Sequence, residues 1–235
     1  MEIGKIHSFQ SMGTVDGPGI RAVLFMQGCP LRCICCHNPD TWIMEQGKDI
    51  STKEVFDKII RCKNYFGAEG GVTVSGGEPL MQPDFLIELF TMLKQEGINT
   101  AIDTSGYILN NKIKHLLELT DLVILDYKYT NDDDYIMYTG IERRKTEEFL
   151  MYLNEQNKRV WIREVIIPEL NDNLKSLNKL YDLKKKYSCI KKIELLPFRK
   201  LCVEKYEELG IDFKLKDTPE MSQEKLNEML KNIKQ

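Results

Sequence analysis

The chain has 235 residues, 42% apolar and 29% charged, the balance of a soluble globular domain with a sizeable core. Its formal net charge of −3 argues against non-specific nucleic-acid binding, which needs a strong positive field. No apolar run approaches the roughly 18 residues of a membrane span, and MEIGKIHSFQ lacks the apolar stretch and cleavage site of a signal peptide, so a cytoplasmic protein is expected.

Residues 21–27, RAVLFMQ, are an apolar run between Gly19 and Gly28, the signal of a buried strand. Ser51 with Glu54 three positions later is a capping box opening a helix over 51–66, with Val55, Phe56, Ile59 and Ile60 at helical spacing. GVTVSGGE then reads as a β-branched strand ending in a glycine pair. Residues 83–96 read as a helix with Leu86, Leu89, Phe90 and Leu93 on one stripe, closed by Gly97. The alternation continues with strand NTAIDTSG, a helix near 110–119, strand DLVILDYK, a helix near 143–156 and strand KRVWIREVIIP. A helix near 172–186, strand IKKIELLPF and a helix over about 220–233 complete it. The run Lys184, Lys185, Lys186 reads as a solvated helix face.

About six strands separated by helices form a parallel sheet through right-handed crossovers. The pattern alone admits a doubly wound open sheet or a barrel, although six units are too few for the usual eight-stranded barrel. No repeat, low-complexity segment or linker interrupts it, so a single domain over 1–235 is expected. Polar residues collect at the C-terminal ends of the strands, where ligands bind in parallel α/β architectures. They are the cysteines after the first strand, Gly76-Gly77-Glu78, Asp103-Thr104, Asp126 with Lys128, Arg163 and Arg199.

Four of the seven cysteines, Cys29, Cys33, Cys35 and Cys36, lie within eight residues. In a reducing compartment such a cluster reads as a metal site before it reads as disulfides. Cys62, Cys189 and Cys202 are scattered and read as buried small hydrophobes. A zinc site normally takes four protein ligands, commonly as two separated pairs, and no second Cys/His cluster follows. The spacing C-x3-C-x2-C of Cys29, Cys33 and Cys36 suits three corners of a [4Fe–4S] cube better, leaving one iron open. Cys35 adjoins Cys36, and adjacent side chains point apart, so Cys35 is assigned no cluster role.

This cysteine motif after a first strand resembles the radical SAM superfamily. The blocks Ile6-His7-Ser8-Phe9, Gly13-Thr14-Val15-Asp16-Gly17-Pro18-Gly19-Ile20-Arg21 and Cys36-His37-Asn38-Pro39-Asp40-Thr41-Trp42 narrow the resemblance. With Asp103-Thr104-Ser105-Gly106, Val160-Trp161-Ile162-Arg163 and Glu194-Leu195-Leu196-Pro197-Phe198, they are similar to the pyruvate formate-lyase-activating family of glycyl-radical-enzyme activases, from residue 3 to about 230.

The resemblance implies a partial, open (β/α)6 barrel with no inserted ferredoxin-like domain. It implies a [4Fe–4S] cluster on Cys29, Cys33 and Cys36, and S-adenosylmethionine (SAM) cleaved into a radical that takes a hydrogen atom from a glycine Cα of a partner such as pyruvate formate-lyase. The implied SAM-binding set is Cys35, Cys36, His37, Asn38, Gly76, Gly77, Glu78, Asp126, Tyr127, Lys128, Arg163 and Arg199. In it Glu78 accepts a bond from the SAM ammonium, and Lys128 and Arg163 meet its carboxylate or ribose. A monovalent cation, Na+ or K+, is implied on Asp103, Thr104, Asp126 and the Ile124 carbonyl. Asp16 is implied to orient the partner's glycine loop, the alternative being a turn cap for VDGPG; for Arg163 the alternative is a structural ion pair with Glu164 or Glu194. Flavodoxin or ferredoxin as reductant, a monomer, and neither nucleic acid nor membrane complete the expectation.

The sequence departs from the family twice. Cys35 stands where an aromatic residue is usual, and Arg199-Lys200-Leu201-Cys202 stands where the family carries a His and then a Leu-Gly pair. A radical SAM enzyme acting on a small molecule would share the cysteines and GGE but gives no reason for the GTVDGPG block. A non-catalytic metal-binding module is the other alternative.

Overall fold

Strands form where the sequence runs β-branched and apolar between glycines, and helices where apolar residues recur every three or four positions. The computed structural model describes residues 1–233. The chain divides into two compact units, each described by itself. The first is Met1–Pro30 with Thr41–Leu125; the second is Leu31–Asp40 with the chain from Asp126 onward.

In the first unit the strands are β1 (Ile3–Gly13), β2 (Arg21–Met26), β3 (Lys48–Ser51), β4 (Gly71–Gly76), β5 (Asn99–Thr104) and β6 (Leu122–Asp126), whose last residue opens the second unit. Their order is β3-β1-β2-β4-β5-β6. The four strands β2, β4, β5 and β6 are parallel, and β1 is antiparallel to both β2 and β3. The parallel strands are buried on both faces: Ala22, Val23, Leu24, Val72, Val74, Ala101, Ile102, Val123 and Ile124 are fully covered. Their register sets Met26 beside Gly76 and Asp103 beside Ile124, so the C-terminal ends line up.

The helices of this unit are α1 (Thr52–Cys62), α2 (Pro83–Gln95) and α3 (Asn111–Glu118). The expected capping box opens α1: Ser51 Oγ accepts from the Glu54 amide and Glu54 accepts from the Ser51 amide. The expected stripe of α2 is buried, joined by Phe85.

In the second unit come α4 (Asp132–Thr139), α5 (Arg143–Glu155), β7 (Arg159–Ile166), α6 (Leu174–Lys186), β8 (Ile190–Pro197), α7 (Val203–Glu208) and α8 (Gln223–Ile233). The strands β7 and β8 are parallel, with Arg163 opposite Glu194 and Glu164 opposite Leu195. Lys184, Lys185 and Lys186 are exposed in the last turn of α6, where cations suit the helix dipole.

The six expected strands are present, and among the described strands and α-helices four lie outside the expectation: β1, β3, α4 and α7. The pairing of β1 with β2 shifts register between Ile6 and Ser8 and again between Gln10 and Gly13, which breaks the alternation a sequence reading relies on. α4 opens on Asp132, Asp133 and Asp134 and buries Tyr135 and Thr139, so it has no apolar stripe to read. Among the described residues no helix is long and apolar enough to cross a membrane.

Candidate functional site

In the first unit, β2 delivers the chain to Gln27, Gly28 and Cys29. The Gln27 amide donates to the Lys5 carbonyl (3.0 Å), Gly28 to Thr41 (2.7 Å) and Cys29 to Trp42 (3.1 Å). The buried Gln27 side chain adds Nε2 to the Ile43 carbonyl at 2.9 Å. Cys29 is thereby held by the segment that follows the cysteine loop, although that segment is twelve or more residues on in sequence.

The glycine pair after β4 has a physical reason independent of any ligand. Gly76 has φ +109°, and a Cβ there would lie 2.4 Å from the Met26 amide nitrogen. A Cβ on Gly77 would lie 2.3 Å from the Gly28 carbonyl oxygen. Only glycine lets these two strand ends close up. The Gly77 amide donates to Met26 (2.9 Å) and the Glu78 amide to Gly28 (2.8 Å), tying the GGE turn to the cysteine-bearing strand end.

Glu78 is 1% exposed, and its carboxylate accepts four hydrogen bonds. Oε1 takes the Leu80 amide (3.1 Å) and the Thr104 hydroxyl (2.5 Å). Oε2 takes the Ser105 amide (3.0 Å) and the Ser105 hydroxyl (2.5 Å). Burial pushes its pKa up, and the bonds from Ser105, Thr104 and Leu80 work against that. The expected acceptor for the SAM ammonium is thus already committed to the end of β5. Thr104 Oγ1, an expected cation ligand, donates to Glu78 and accepts from the Gly106 amide (3.0 Å). Asp103 accepts from Ser75 Oγ at 3.1 Å, and Ile124 is fully buried beside it.

Asp16 is half-buried, and its carbonyl accepts from Thr73 Oγ1 at 2.6 Å. The same hydroxyl accepts from Arg21 Nε (2.6 Å), and the fully buried Arg21 also donates to the carbonyls of Pro18 and Val72. The VDGPG loop is therefore fastened through its backbone to the middle of β4. Tyr107 is a residue the sequence reading did not single out: burial, then the charges of Glu78 and Cys29, push its phenol up to about 12.

In the second unit the cysteine loop is pinned to the end of α4. Arg32 donates to the Thr139 carbonyl and Ile34 to the Tyr138 carbonyl, both at 3.0 Å. The Cys36 amide turns back onto the Cys33 carbonyl at 3.1 Å. Burial pushes the Cys35 thiol up to about 11. The His37 ring donates from Nε2 to the Arg199 carbonyl (3.0 Å), and burial holds its pKa down. Lys205 Nζ reaches Asn38 Oδ1 (3.0 Å) and Asp40 (3.0 Å), and Tyr206 Oη donates to the Cys36 carbonyl (3.2 Å). Arg199 thus acts through its backbone, while its guanidinium faces Glu220 at 3.5 Å.

Asp126 and Lys128 form an ion pair, with 16% of the Lys128 side chain exposed. Burial works against the Lys128 charge, but the Asp126 carboxylate beside it, with the charge of Cys33 and Cys35 when they ionise, raises its pKa well above the usual lysine range. Tyr127 donates its amide to the Arg163 carbonyl (2.9 Å), and its hydroxyl turns away to Glu147 (3.2 Å) and Arg143 (3.1 Å). Arg163 makes two bonds to Glu194 Oε2, from Nε at 3.0 Å and a terminal nitrogen at 2.8 Å, the structural ion pair named as its alternative role.

None of the seven cysteines is in a disulfide, and their exposure divides them. Cys29, Cys33 and Cys36 are part-exposed, whereas Cys35, Cys62, Cys189 and Cys202 are buried. The three motif cysteines are the part-exposed ones, and soft thiolates are the donors an iron–sulfur cluster takes.

A family model described as a 4Fe-4S single cluster domain matches residues 15–144. Over 236 residues the chain is 47% identical to a pyruvate formate-lyase-activating enzyme of Clostridium pasteurianum, covering 100% of this chain and 99% of that one. This chain belongs to the pyruvate formate-lyase-activating enzyme family. The pyruvate formate-lyase 1-activating enzyme of Escherichia coli K12 is 42% identical over 216 residues, 91% of this chain and 88% of its own.

Among solved structures, Streptococcus suis SuiB bound to precursor peptide SuiA matches 89% of this chain and 44% of its own, at TM-score 0.69 and 17% identity. A radical SAM methyltransferase from Sphaerobacter thermophilus matches 91% of this chain and 63% of its own, at TM-score 0.65 and 16% identity. These likenesses show the fold expected from the sequence: α/β, parallel strands in an open sheet, the partial (β/α)6 barrel of the radical SAM type. A member of the activating-enzyme family is an oxidoreductase of the [formate-C-acetyltransferase]-activating type.

Proposed function

We propose that this activating enzyme holds a [4Fe–4S] cluster on Cys29, Cys33 and Cys36, binds SAM, and takes a hydrogen atom from a glycine Cα of a pyruvate formate-lyase-type partner. The observation that carries the reading is the division of the cysteines, in which the three thiols at C-x3-C-x2-C are the accessible ones. When bound, the cluster and SAM together supply the electron and the adenosyl radical that such a hydrogen transfer needs.

The chain's own residues bind, orient and seal. Gly76 and Gly77 bring the backbone of β4 against the cysteine-bearing strand end. Glu78, saturated by four donors, fixes the end of β5 and leaves the SAM ammonium to other groups. Lys128 and Asp126 face SAM, as do the backbone around Cys35 and Cys36, His37, Asn38 and Tyr127. Arg163 reaches SAM as one face of its pair with Glu194, and Arg199 holds His37 in place. Asp103, Asp126, the Thr104 hydroxyl and the Ile124 carbonyl are hard oxygen donors suited to a monovalent cation. Asp16, its backbone fixed by Thr73, orients the partner's glycine loop.

A single catalytic domain without further clusters, a monomer, a cytoplasmic setting and a flavodoxin or ferredoxin donor belong to the same reading. The test is anaerobic incubation of the iron- and sulfide-reconstituted protein with SAM, a reductant and pyruvate formate-lyase, followed by electron paramagnetic resonance. A glycyl radical doublet on the partner, absent with Cys33→Ala, is expected. Turnover of a small molecule with no doublet overturns the partner assignment, and absence of SAM cleavage overturns the chemistry.

A further inference from the structure

Within the second unit lies a buried carboxyl group that the proposed reaction leaves without a role. Glu164 is 1% exposed. Its Oε1 accepts a hydrogen bond from Asn171 Nδ2 at 3.1 Å, and its Oε2 is buried with no partner among the described residues. Asn171 is itself 3% exposed and fully engaged, giving its other proton to the Val165 carbonyl (2.9 Å) and accepting from the Ile167 amide (2.7 Å). The groups that face Glu164 are few. Lys128 and Tyr129 come from the segment after β6, which the Tyr127 amide fastens to the Arg163 carbonyl on β7 at 2.9 Å, and Asn171 comes from the segment after β7. On β7 itself Arg163 is turned to Glu194, and opposite Glu164 on β8 stands the apolar Leu195. The Tyr129 hydroxyl is buried and also without a partner, so it does not serve the carboxylate. The Lys128 ammonium pairs with Asp126 instead.

An ionised carboxylate in such a place would have one neutral hydrogen bond and no ion pair, so that its desolvation would go largely uncompensated. A neutral acid avoids most of it. Burial accordingly pushes the Glu164 pKa up to about 8, with Asn171 and the Lys128 charge working the other way. The neutrality has a consequence for Lys128. With Glu164 uncharged, Asp126 is the one carboxylate beside the ammonium; with Glu164 ionised there are two, and the ammonium is drawn between them.

We propose that Glu164 is a positioning residue, an acid that stays neutral so that Asp126 alone directs the Lys128 ammonium. The proposal rests on the reading above only in taking Lys128 and Asp126 to face SAM.

Two measurements test it. The first uses the metal-free protein: the infrared carbonyl stretch of a protonated carboxylic acid, taken as wild type minus Glu164→Gln. A positive band at pH 7 that disappears as the pH is carried past 8 is expected, and a wild-type spectrum identical to the variant's overturns the proposal. The second is equilibrium dialysis of SAM against the cluster-reconstituted protein on either side of pH 8. Wild-type binding weakens on the order of tenfold on the alkaline side, the size of an ordinary coupling between two sites. Glu164→Gln, which cannot ionise and keeps an oxygen for Asn171, binds SAM equally on both sides. Equal weakening of both proteins overturns the proposal. If neither binds SAM at any pH, the functional reading fails, while the infrared result still decides whether Glu164 is neutral.

Discussion

Glu78 and Glu164 are each 1% exposed, one in each compact unit, and they are solvated by the protein in opposite ways. Glu78 accepts four hydrogen bonds, two of them from the hydroxyls of Thr104 and Ser105. Glu164 accepts one, from the amide of Asn171. Burial pushes both pKa values up, but only around Glu78 have backbone amides and hydroxyls been arranged to replace water. The first carboxylate is a structural clamp between strand ends. The second is a spare acid beside a cation that has another partner. A buried carboxyl group is therefore not one kind of feature: the donors around it decide whether it fixes geometry or waits on protonation.

Removing the clamp has the largest expected effect. Glu78→Ala leaves the Leu80 and Ser105 amides and the Thr104 and Ser105 hydroxyls without an acceptor in a buried place. About 3–5 kcal/mol of stability should be lost, read by urea denaturation of the metal-free protein. A loss below about 1 kcal/mol would mean that these donors find other partners and that the contrast with Glu164 is overstated.

The second effect is smaller and depends on pH. Glu164 has a folded pKa of about 8, above the ordinary 4.5. Its contribution to stability is fully present below about 4.5 and is lost as the pH rises to about 8, because the unfolded chain releases that proton first. Glu164→Gln has no proton to release. Carried from pH 5 to pH 8, the wild type should lose about 1–3 kcal/mol relative to the variant, a figure kept below the full linkage value for such a shift. Parallel pH profiles of the two proteins would place Glu164 with the ordinary carboxylates.

How much of this contrast was legible in the sequence follows from what each residue's role depends on. The parallel strands could be read because they are buried on both faces, so Ala22 to Leu24 or Val123 to Leu125 appear as plain apolar runs. The triad Cys29, Cys33 and Cys36 could be read because its chemistry lies in local spacing. Glu78 could be read as a motif residue but not as a clamp, since Ser105, which gives it two bonds, lies 27 residues on. Glu164 was visible only as one of two possible partners for Arg163. Successive residues of a strand point to opposite faces, so β7 sends Arg163 to Glu194 and leaves Glu164 with Asn171. Nothing in REVII announces which of the two faces is the buried one.

The smallest effect is the sharpest check on the idea that donors go where Glu78 is and not where Glu164 is. Tyr129 brings a hydroxyl into the second unit, 3% exposed, with its ring against Tyr138 at 5.1 Å. That hydroxyl has no hydrogen-bond partner among the described residues, and burial pushes its pKa far up. A partnered tyrosine hydroxyl contributes about 1 kcal/mol, whereas one already stripped of water and unbonded contributes nothing that its loss would forfeit. Tyr129→Phe keeps the ring packing and should change stability by less than about 0.5 kcal/mol, in either direction. Tyr135→Phe is the internal control: its hydroxyl is equally buried but bonded to Thr146 Oγ1 at 2.9 Å, so it should cost about 1 kcal/mol. If Tyr129→Phe costs as much as Tyr135→Phe, the Tyr129 hydroxyl has a partner in solution. Glu164, whose Oε2 is the other buried oxygen without a partner among the described residues, would then be the acceptor to examine, and the difference between the two glutamates would narrow from four donors against one to four against two.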